Sequence, residues 1–175
     1  MGVKNPISVS VAGVPSGEVK IRGENAKIDK VSSGKYTVKP VKVGKAKIII
    51  SGGNLKSTEF EYRVKNIPDP ICQLGKKSGG KMSAAEMRIQ PGIIPFLKDF
   101  EFDAKCNIIE FHMARVPKNN DAVYTTNRSG KFDSKAQRII KQAKHGDTYF
   151  FNEVKVKCPG DTHTREIPGM VFSIK

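Results

Sequence analysis

An alternation of apolar and polar residues with a period of two runs through the first 65 residues. Successive side chains of a β-strand point to opposite faces, so this pattern is typical of strands with one buried face. It is clearest at residues 7–11 and 58–64, and Gly, Asn or Ser closes most of the runs. Residues 5–64 show no helical period. This part of the chain is therefore predicted to fold from strands alone.

The spacing of these runs predicts a sandwich. Residues 46–51 (AKIIIS) are a continuous apolar run, short enough for a central strand, and Gly52-Gly53-Asn54 is expected to turn the chain after it. About six or seven short strands at regular spacing predict an immunoglobulin-like β-sandwich over residues 1–65. The Cys and Trp residues of antibody domains are missing, so the prediction concerns the architecture alone. Phe60 and Tyr62 are expected to alternate in phase with the core.

Two prolines, Pro68 and Pro70, interrupt the alternation. Proline lacks the backbone N–H that a central strand needs, and it stiffens the chain as a spacer. We therefore place a domain boundary at residues 66–70. Residues 66–175 are assigned to a second domain, a β-sheet that carries two short helices. The whole chain is predicted to be mainly β.

Two capping boxes mark the helices of the second domain. Ser83-Ala84-Ala85-Glu86 predicts a helix over residues 84–89, and Ser134-Lys135-Ala136-Gln137 predicts one that runs to Ala143, with Gly146 as its C-terminal cap. Strands are predicted around residues 100–102, 106–113, 149–157 and 170–174. Residues 117–127 are predicted to form a loop, and residues 75–80 a flexible connector.

The net charge is high but evenly spread. The chain has 31 basic and 17 acidic residues, which gives +14. Residues 1–65 contribute 13 basic and 5 acidic side chains (+8), and residues 66–175 contribute 18 and 12 (+6). In the first domain the lysines alternate along predicted strands, which favours solvated, charge-protected faces. A single-strand nucleic-acid site would interleave aromatic and basic residues, so no nucleic-acid partner is predicted.

No residue pattern predicts an active site. The glycines and lysines of residues 75–80 lack the spacing of a phosphate-binding loop. None of the three histidines is spaced with another His or a Cys as a zinc site requires. Cys106 and His112 would lie roughly 20 Å apart on one strand, and Cys158 could meet His163 only across a turn. We predict that the protein is not an enzyme and holds neither metal nor cofactor.

The three cysteines leave the redox state open. An odd number cannot pair completely within the chain, so they fit either three reduced thiols or one disulfide with a spare thiol. We expect at most one disulfide, between Cys106 and Cys158, because both lie on or beside predicted strands of the second domain.

Membrane and targeting signals are absent from this sequence. No stretch approaches the 18 apolar residues of a membrane-spanning helix. The first six residues lack the apolar centre of a signal peptide and lead directly into a predicted strand. We expect the natural protein to continue upstream.

The order of motifs resembles the C-terminal region of the GldM/PorM family of gliding-motility and type IX secretion proteins. The matching segments are IPDP at residues 67–70, GKKSGG at 75–80 followed by Met82-Ser83, FEFDAK at 100–105, KHGD at 144–147, YFFNEVKVK at 149–157, PGD at 159–161 and REIPGMVFSIK at 165–175. Residues 5–9 and 13–15 resemble the opening of the family's penultimate domain. Two positions depart from the pattern, since Cys106 replaces an expected aromatic residue and Cys158 an expected glycine.

The resemblance implies a periplasmic, non-catalytic scaffold. It implies a homodimeric rod that couples an inner-membrane motor of GldL/PorL type, through an upstream membrane helix, to an outer-membrane-associated ring of GldK/GldN (PorK/PorN) type. The second domain is then the docking end. Loops on a rigid sheet often carry binding residues, and the basic side chains predicted to contact the ring are Lys76, Lys77, Lys81 and Arg165. The alternative is a periplasmic or surface adhesion or carbohydrate-binding sandwich.

Overall fold

The structure, a computed structural model, describes residues 1–53 and 55–175, apart from the side chain of Leu55. Part of the turn expected at Gly52-Gly53-Asn54, namely Asn54, lies outside the described residues. Strands account for 51% of the chain and helices for 8%, so the fold is mainly β, as predicted. The chain divides into two compact units. The first consists of Met1–Ile67 and Phe102–Ala104, and the second of Pro68–Glu101 and Lys105–Lys175.

The first unit is built from two three-stranded sheets. Its strands are β1 (Asn5–Ser8), β2 (Lys20–Glu24), β3 (Ala26–Ser32), β4 (Lys35–Pro40), β5 (Gly44–Gly52) and β6 (Leu55–Val64). One sheet has the order β1-β4-β3 and the other β2-β5-β6, and all neighbours are antiparallel. The apolar run at residues 46–51 therefore lies in a central strand, as predicted. The immunoglobulin-like character of the unit stays a prediction.

The core of the first unit has fewer buried apolar residues than that of the second. Val9, Val19 and Tyr36 form one buried cluster, with half-buried aliphatic side chains packed around it, and apolar residues of β4, β5 and β6 are also buried. The prediction that Phe60 and Tyr62 belong to the core is wrong, since they are 44% and 50% exposed. Alternation places them on the same face as buried residues of β5, but β6 is an edge strand, and residues 56–63 are all exposed.

The second unit contains the remaining described elements. They are β7 (Ile71–Gln73), β8 (Gly80–Met82), α1 (Ala84–Arg88), β9 (Ile94–Phe96), β10 (Asn107–Val116), β11 (Val123–Asn127), α2 (Ser134–Lys141), β12 (Thr148–Lys157), β13 (Arg165–Ile167) and β14 (Met170–Ile174). The main sheet has the order β11-β10-β12-β14-β8, and β13 also pairs with β12. The β8–β14 pair is parallel, and β7 and β9 form a separate ribbon.

Both predicted helices are present, but only the first has the predicted N-cap residue. The Ser83 hydroxyl accepts a hydrogen bond from the Glu86 N–H (3.1 Å), so the first capping prediction is confirmed. The second is wrong by one residue. Asp133 is extended and its carboxylate accepts from the Ala136 N–H (2.7 Å), which leaves Ser134 as the first helical residue.

The predicted C-terminal end of α2 is also corrected. The helix ends at Lys141 with Gln142 as its cap, so it does not reach Ala143, and Gly146 lies beyond its end. The carboxylate of Asp147 accepts from the Lys144 N–H (2.9 Å). This bond closes a separate turn after the helix, and Gly146, at φ +89°, supplies the left-handed conformation of that turn.

Several strand predictions in the second unit require correction. Residues 100–102 are not a strand, and the preceding Asp99 has a left-handed φ of +53°, which breaks an extended chain. Part of the predicted loop at 117–127 is strand β11, because its Val, Tyr and Thr residues suit a strand and pair with β10. The short strands β7, β8, β9 and β13 were not predicted.

The core of the second unit is extensive and aromatic. Phe151 lies at its centre, with ring centroids 6.0 Å from Phe111 and 6.2 Å from Phe132 and Phe172. All four rings are essentially buried. Both helices contribute buried side chains to the same cluster, among them Met87, Ile139 and Ile140. These four phenylalanines therefore belong to the core, whereas Phe96 of β9 is 44% exposed.

One disulfide ties the two longest strands of the second unit together. Cys106 precedes β10, Cys158 follows β12, and their sulfur atoms are bonded. Cys72 is a free, buried thiol, and its burial raises its pKa to about 12. The prediction of a single Cys106–Cys158 bridge is confirmed.

Candidate docking surface

The basic loop at residues 74–77 is a closed turn. The backbone N–H and C=O groups of Leu74 and Lys77 exchange two hydrogen bonds, of 2.8 and 3.0 Å. Gly75 and Lys76, at its centre, have φ values of +54° and +65°, as a type I′ turn requires. The prediction of a flexible connector is therefore wrong, because backbone hydrogen bonds close this turn and β8 follows at residue 80.

The lysines of this turn have different roles. The Lys77 ammonium lies 2.8 and 3.0 Å from the two carboxylate oxygens of Glu86 on α1. This hydrogen bond lowers the pKa of Glu86, and it fastens the turn to the helix. Lys76 and Lys81 are exposed and make no ion pair with any described residue. They are the cations of this region that remain available to a partner.

Arg165 belongs to a structural clamp. Its guanidinium donates to both oxygens of Asp161, at 2.5 and 2.9 Å, and to Asp69 at 2.8 Å. The Asp161 carboxylate also accepts from the Cys158 N–H at 2.9 Å. Burial would raise the pKa of Asp161, but the hydrogen bonds from Arg165 and Cys158 outweigh it, so that pKa is lowered. The clamp closes the turn that follows the disulfide.

The predicted docking residues do not form one site. Lys81 pairs with Ser173 of β14, which in turn pairs with Thr148 at the start of β12. Arg165 pairs with Val156, near the end of the same strand. Thr148 and Val156 are eight residues apart in β12, which corresponds to roughly 25 Å along the strand axis. Lys76, Lys77 and Lys81 form one basic region, and Arg165 lies away from it.

Sequence analysis missed a polar cleft in the second unit. It has a volume of about 440 Å³, and residues of β10, β11, β12 and α2 line it, among them His112, Tyr124, Thr126, Lys135 and Glu153. A bulge in β12 sets Glu153 at φ +50°, and its carboxylate lies 3.2 Å from the Nδ1 atom of His112. No sequence signal could have revealed the cleft, because its residues meet only through long-range strand pairing.

The described residues contain neither a metal-binding cluster nor an exposed thiol. They contain no group of three His, Cys, Asp or Glu side chains that could hold a metal ion. Cys106 and Cys158 are bonded to each other, so neither thiol is available as a nucleophile. No buried side-chain nitrogen or oxygen in this part of the chain lacks a hydrogen-bond partner. What the surface presents is exposed lysines and a mixed-charge cleft, which suit non-covalent binding.

No helix among the described residues combines the length and the apolar character that a bilayer crossing requires.

Comparisons with known proteins identify both units. Residues 1–65 match the family model of the GldM third domain, and residues 68–175 match that of the GldM C-terminal domain. No curated protein matches.

Among solved structures, domains 5–6 of the S-layer protein SbsC match at 15% identity, covering 99% of this chain and 91% of that one, with a TM-score of 0.30. InvD of Yersinia pseudotuberculosis matches at 12% identity, covering 95% and 60%, with a TM-score of 0.24. Both TM-scores are too low to support any inference.

The C-terminal domains of the GldM family are periplasmic, and the family is a structural component of its machinery. Because the two family models span nearly the whole sequence, this chain belongs to the GldM family and is a component of the gliding-motility and type IX secretion machinery.

Proposed function

We propose that the chain is a non-catalytic coupling scaffold, in which residues 1–65 are an immunoglobulin-like shaft domain and residues 66–175 are a docking domain. In this proposal it works as a homodimeric periplasmic rod. An upstream inner-membrane helix connects it to a motor protein of GldL/PorL type, and the docking domain contacts a ring of GldK/GldN (PorK/PorN) type. The family match supports the role in this machinery, and the two exposed lysines on a hydrogen-bonded frame support the docking role of the second domain.

The observation that supports the docking role is that a closed, hydrogen-bonded turn and the strand after it hold two exposed lysines of the second unit. Exposed lysines also occur in the first unit, where Lys39, Lys45 and Lys47 form ion pairs with carboxylates on neighbouring strands. In the second unit Lys76 and Lys81 are exposed and unpaired among the described residues, and the frame that carries them is ordered. A cation on a rigid frame loses little conformational freedom on binding. Such a pair suits an acidic surface on the partner.

The test uses the full chain and compares two double charge reversals. Lys76→Glu with Lys81→Glu should weaken binding to purified ring proteins about tenfold at low salt, and the salt dependence of the affinity should decrease. The matched control is Lys20→Glu with Lys35→Glu, which makes the same change in net charge on exposed strand positions of the first unit. It should change the affinity by less than about twofold.

Three results would contradict the proposal. Equal loss in both double variants would show that only the overall charge matters. Unchanged affinity in the Lys76/Lys81 variant would exclude the basic region as the docking site. If Tyr124→Ser, which alters the polar cleft, abolishes binding while the lysine reversals do not, the cleft is the docking surface.

A further inference from the structure

The free edge of β6 is the feature of the first unit that its fold leaves unexplained. β6 ends the sheet β2-β5-β6, and it is ten residues long. Residues 56–63 are exposed on both faces of the strand. Within the described part of the chain, the strand pairs with β5 alone. It therefore presents a long row of backbone groups to which another strand could bond.

The other outer strands of this unit are protected, and β6 is not. β1 has only four residues and contains Pro6, while β3 is blunted by unbalanced charge from Lys27 and Lys30 against Asp29. β2 contacts β3 of the other sheet. Short length, proline and lysine are the usual means of preventing edge-to-edge association. In β6 two basic and two acidic residues cancel, although the chain as a whole carries +14.

The two faces of β6 are chemically distinct. One face carries Thr58, Phe60 and Tyr62, whose aromatic rings are half exposed. On the other face Glu59 and Glu61 are held by lysines of β5, with N–O distances of 2.9 Å. Arg63 follows on the same face and has no ion-pair partner among the described residues. The edge thus offers apolar surface on one side and an unpaired cation on the other.

We propose that β6 pairs antiparallel with β6 of a second copy of this chain, about a two-fold axis at Glu61. This register sets Phe60 opposite Tyr62 of the second copy, and Glu59 opposite its Arg63. Aromatic pairs and opposite charges directly across a ladder are both stabilising. Each pair occurs twice because the contact is isologous. The proposal rests on the homodimer of the proposed function and names its surface.

The register about Phe60 is disfavoured. If the axis passed through Phe60, Glu59 would face Glu61 of the second copy twice, and like charges directly opposite are destabilising. With the axis at Glu61, the two carboxylates of that residue meet once, and each is partly neutralised by its own Lys45 at 2.9 Å. Charge therefore excludes the register at Phe60, and a strand of an unrelated protein would not share this self-complementarity. The register at Tyr62 is free of like-charge pairs as well, but it replaces the Phe60–Tyr62 contacts by a Tyr62–Tyr62 contact.

A single engineered cysteine tests the register. Cys72 is buried and the other two cysteines are bonded to each other, so Glu61→Cys adds an exposed thiol to the described surface. Two copies paired about residue 61 bring these thiols within disulfide distance. We expect a covalent dimer on mild oxidation. Val31→Cys, on the exposed edge strand β3, is the matched control and should remain a monomer on denaturing gels.

Charge exchange supplies an independent measurement. Arg63→Glu places like charges opposite each other twice and should weaken the dimer about tenfold in sedimentation velocity. Adding Glu59→Lys to that variant reverses both partners of the pair and should restore most of the affinity. Circular dichroism of each variant establishes that it is folded, so that a lost dimer is not confused with a lost fold.

The results of these experiments test the β6 pairing and the homodimer separately. Covalent capture at residue 61 together with charge-exchange rescue supports the pairing. A dimer that Glu61→Cys does not capture and Arg63→Glu does not weaken overturns the β6 surface and leaves the homodimer standing. A full chain that is monomeric at every concentration overturns both, and ring binding would still be measured separately.

Discussion

The two units reach a stable fold by different means. The second unit packs four phenylalanine rings and two helices into one continuous core, and a disulfide joins its two longest strands. The buried ion pair of Arg115 and Asp147 (2.8 Å) connects β10 to the turn after α2. The first unit has ten buried apolar residues among its described residues, against 23 in the second. Residues 56–63 of its edge strand β6 all face solvent.

This difference in packing predicts that the second unit is the more stable one and that the first unit is the one that associates with a second chain. Buried apolar area is the dominant favourable term in folding, so the second unit should unfold at a higher temperature than the first. The first unit leaves apolar side chains such as Phe60 at a free edge, where they are available to a second chain. A thermal melt of the whole chain is thus expected to show two transitions.

The largest expected effect is the removal of the central ring of the second unit. Phe151→Ala should cost about 3–5 kcal/mol, since a fully buried aromatic side chain leaves a cavity among three other rings. Differential scanning calorimetry should show the upper transition shifted down and the lower one unchanged. Phe96→Ala, at an exposed site of the same unit, is the control and should cost less than about 1 kcal/mol. A single transition that moves as a whole would show that the units unfold together.

Loss of the disulfide is expected to have the next largest effect. Replacing Cys106 and Cys158 by Ala should destabilise the second unit by about 2–4 kcal/mol, because the bond closes a loop across 52 residues of sequence separation. Chemical denaturation with and without reductant measures it. The double variant should be insensitive to reductant, whereas Cys72→Ala keeps the disulfide and should lose as much stability on reduction as the parent. Equal loss on reduction of the parent and of the double variant would contradict the prediction.

The smallest expected effect concerns the cap of α2. Asp133→Ala should cost about 1 kcal/mol, since its carboxylate accepts the Ala136 N–H at the helix start. Ser134→Ala should cost less than about 0.5 kcal/mol, because that side chain is exposed and does not cap the helix. The comparison is made from midpoints of the upper transition. If Ser134→Ala cost more stability than Asp133→Ala, Ser134 would be the N-cap of α2, as the capping-box pattern predicted.

The features that the sequence could predict are those whose signals lie within a few neighbouring residues. The alternation in residues 1–65 identifies strands, and Ser83 identifies the start of α1, because both signals lie within a few residues. The strand predicted at residues 149–157 is present as β12, and Phe151 lies on its buried face. Alternation fails at Phe60, since periodicity shows which face a side chain occupies and not whether another layer covers that face.

Long-range pairing accounts for most of what could not be predicted. Strand β8 has three residues, two of them exposed, and only its pairing with β14 makes it a strand. The polar cleft likewise needs three strands and a helix brought together. The separation of Arg165 from Lys81 follows from their different levels along β12, and nothing near either residue in the sequence reports it.

Strand order in the second unit has a consequence for how the protein is made. β14 is the last described strand in the chain direction, yet it lies inside the sheet between β12 and β8. Until residues 170–174 leave the ribosome, β8 has no neighbour in the sheet and Phe172 cannot complete the aromatic core. Synthesis runs from the N-terminus, so the first unit can close while the second is still open. The second unit of a nascent chain would thus remain unfolded until residues 170–174 have been synthesised, and an unfolded polypeptide is the state that can be threaded across a membrane.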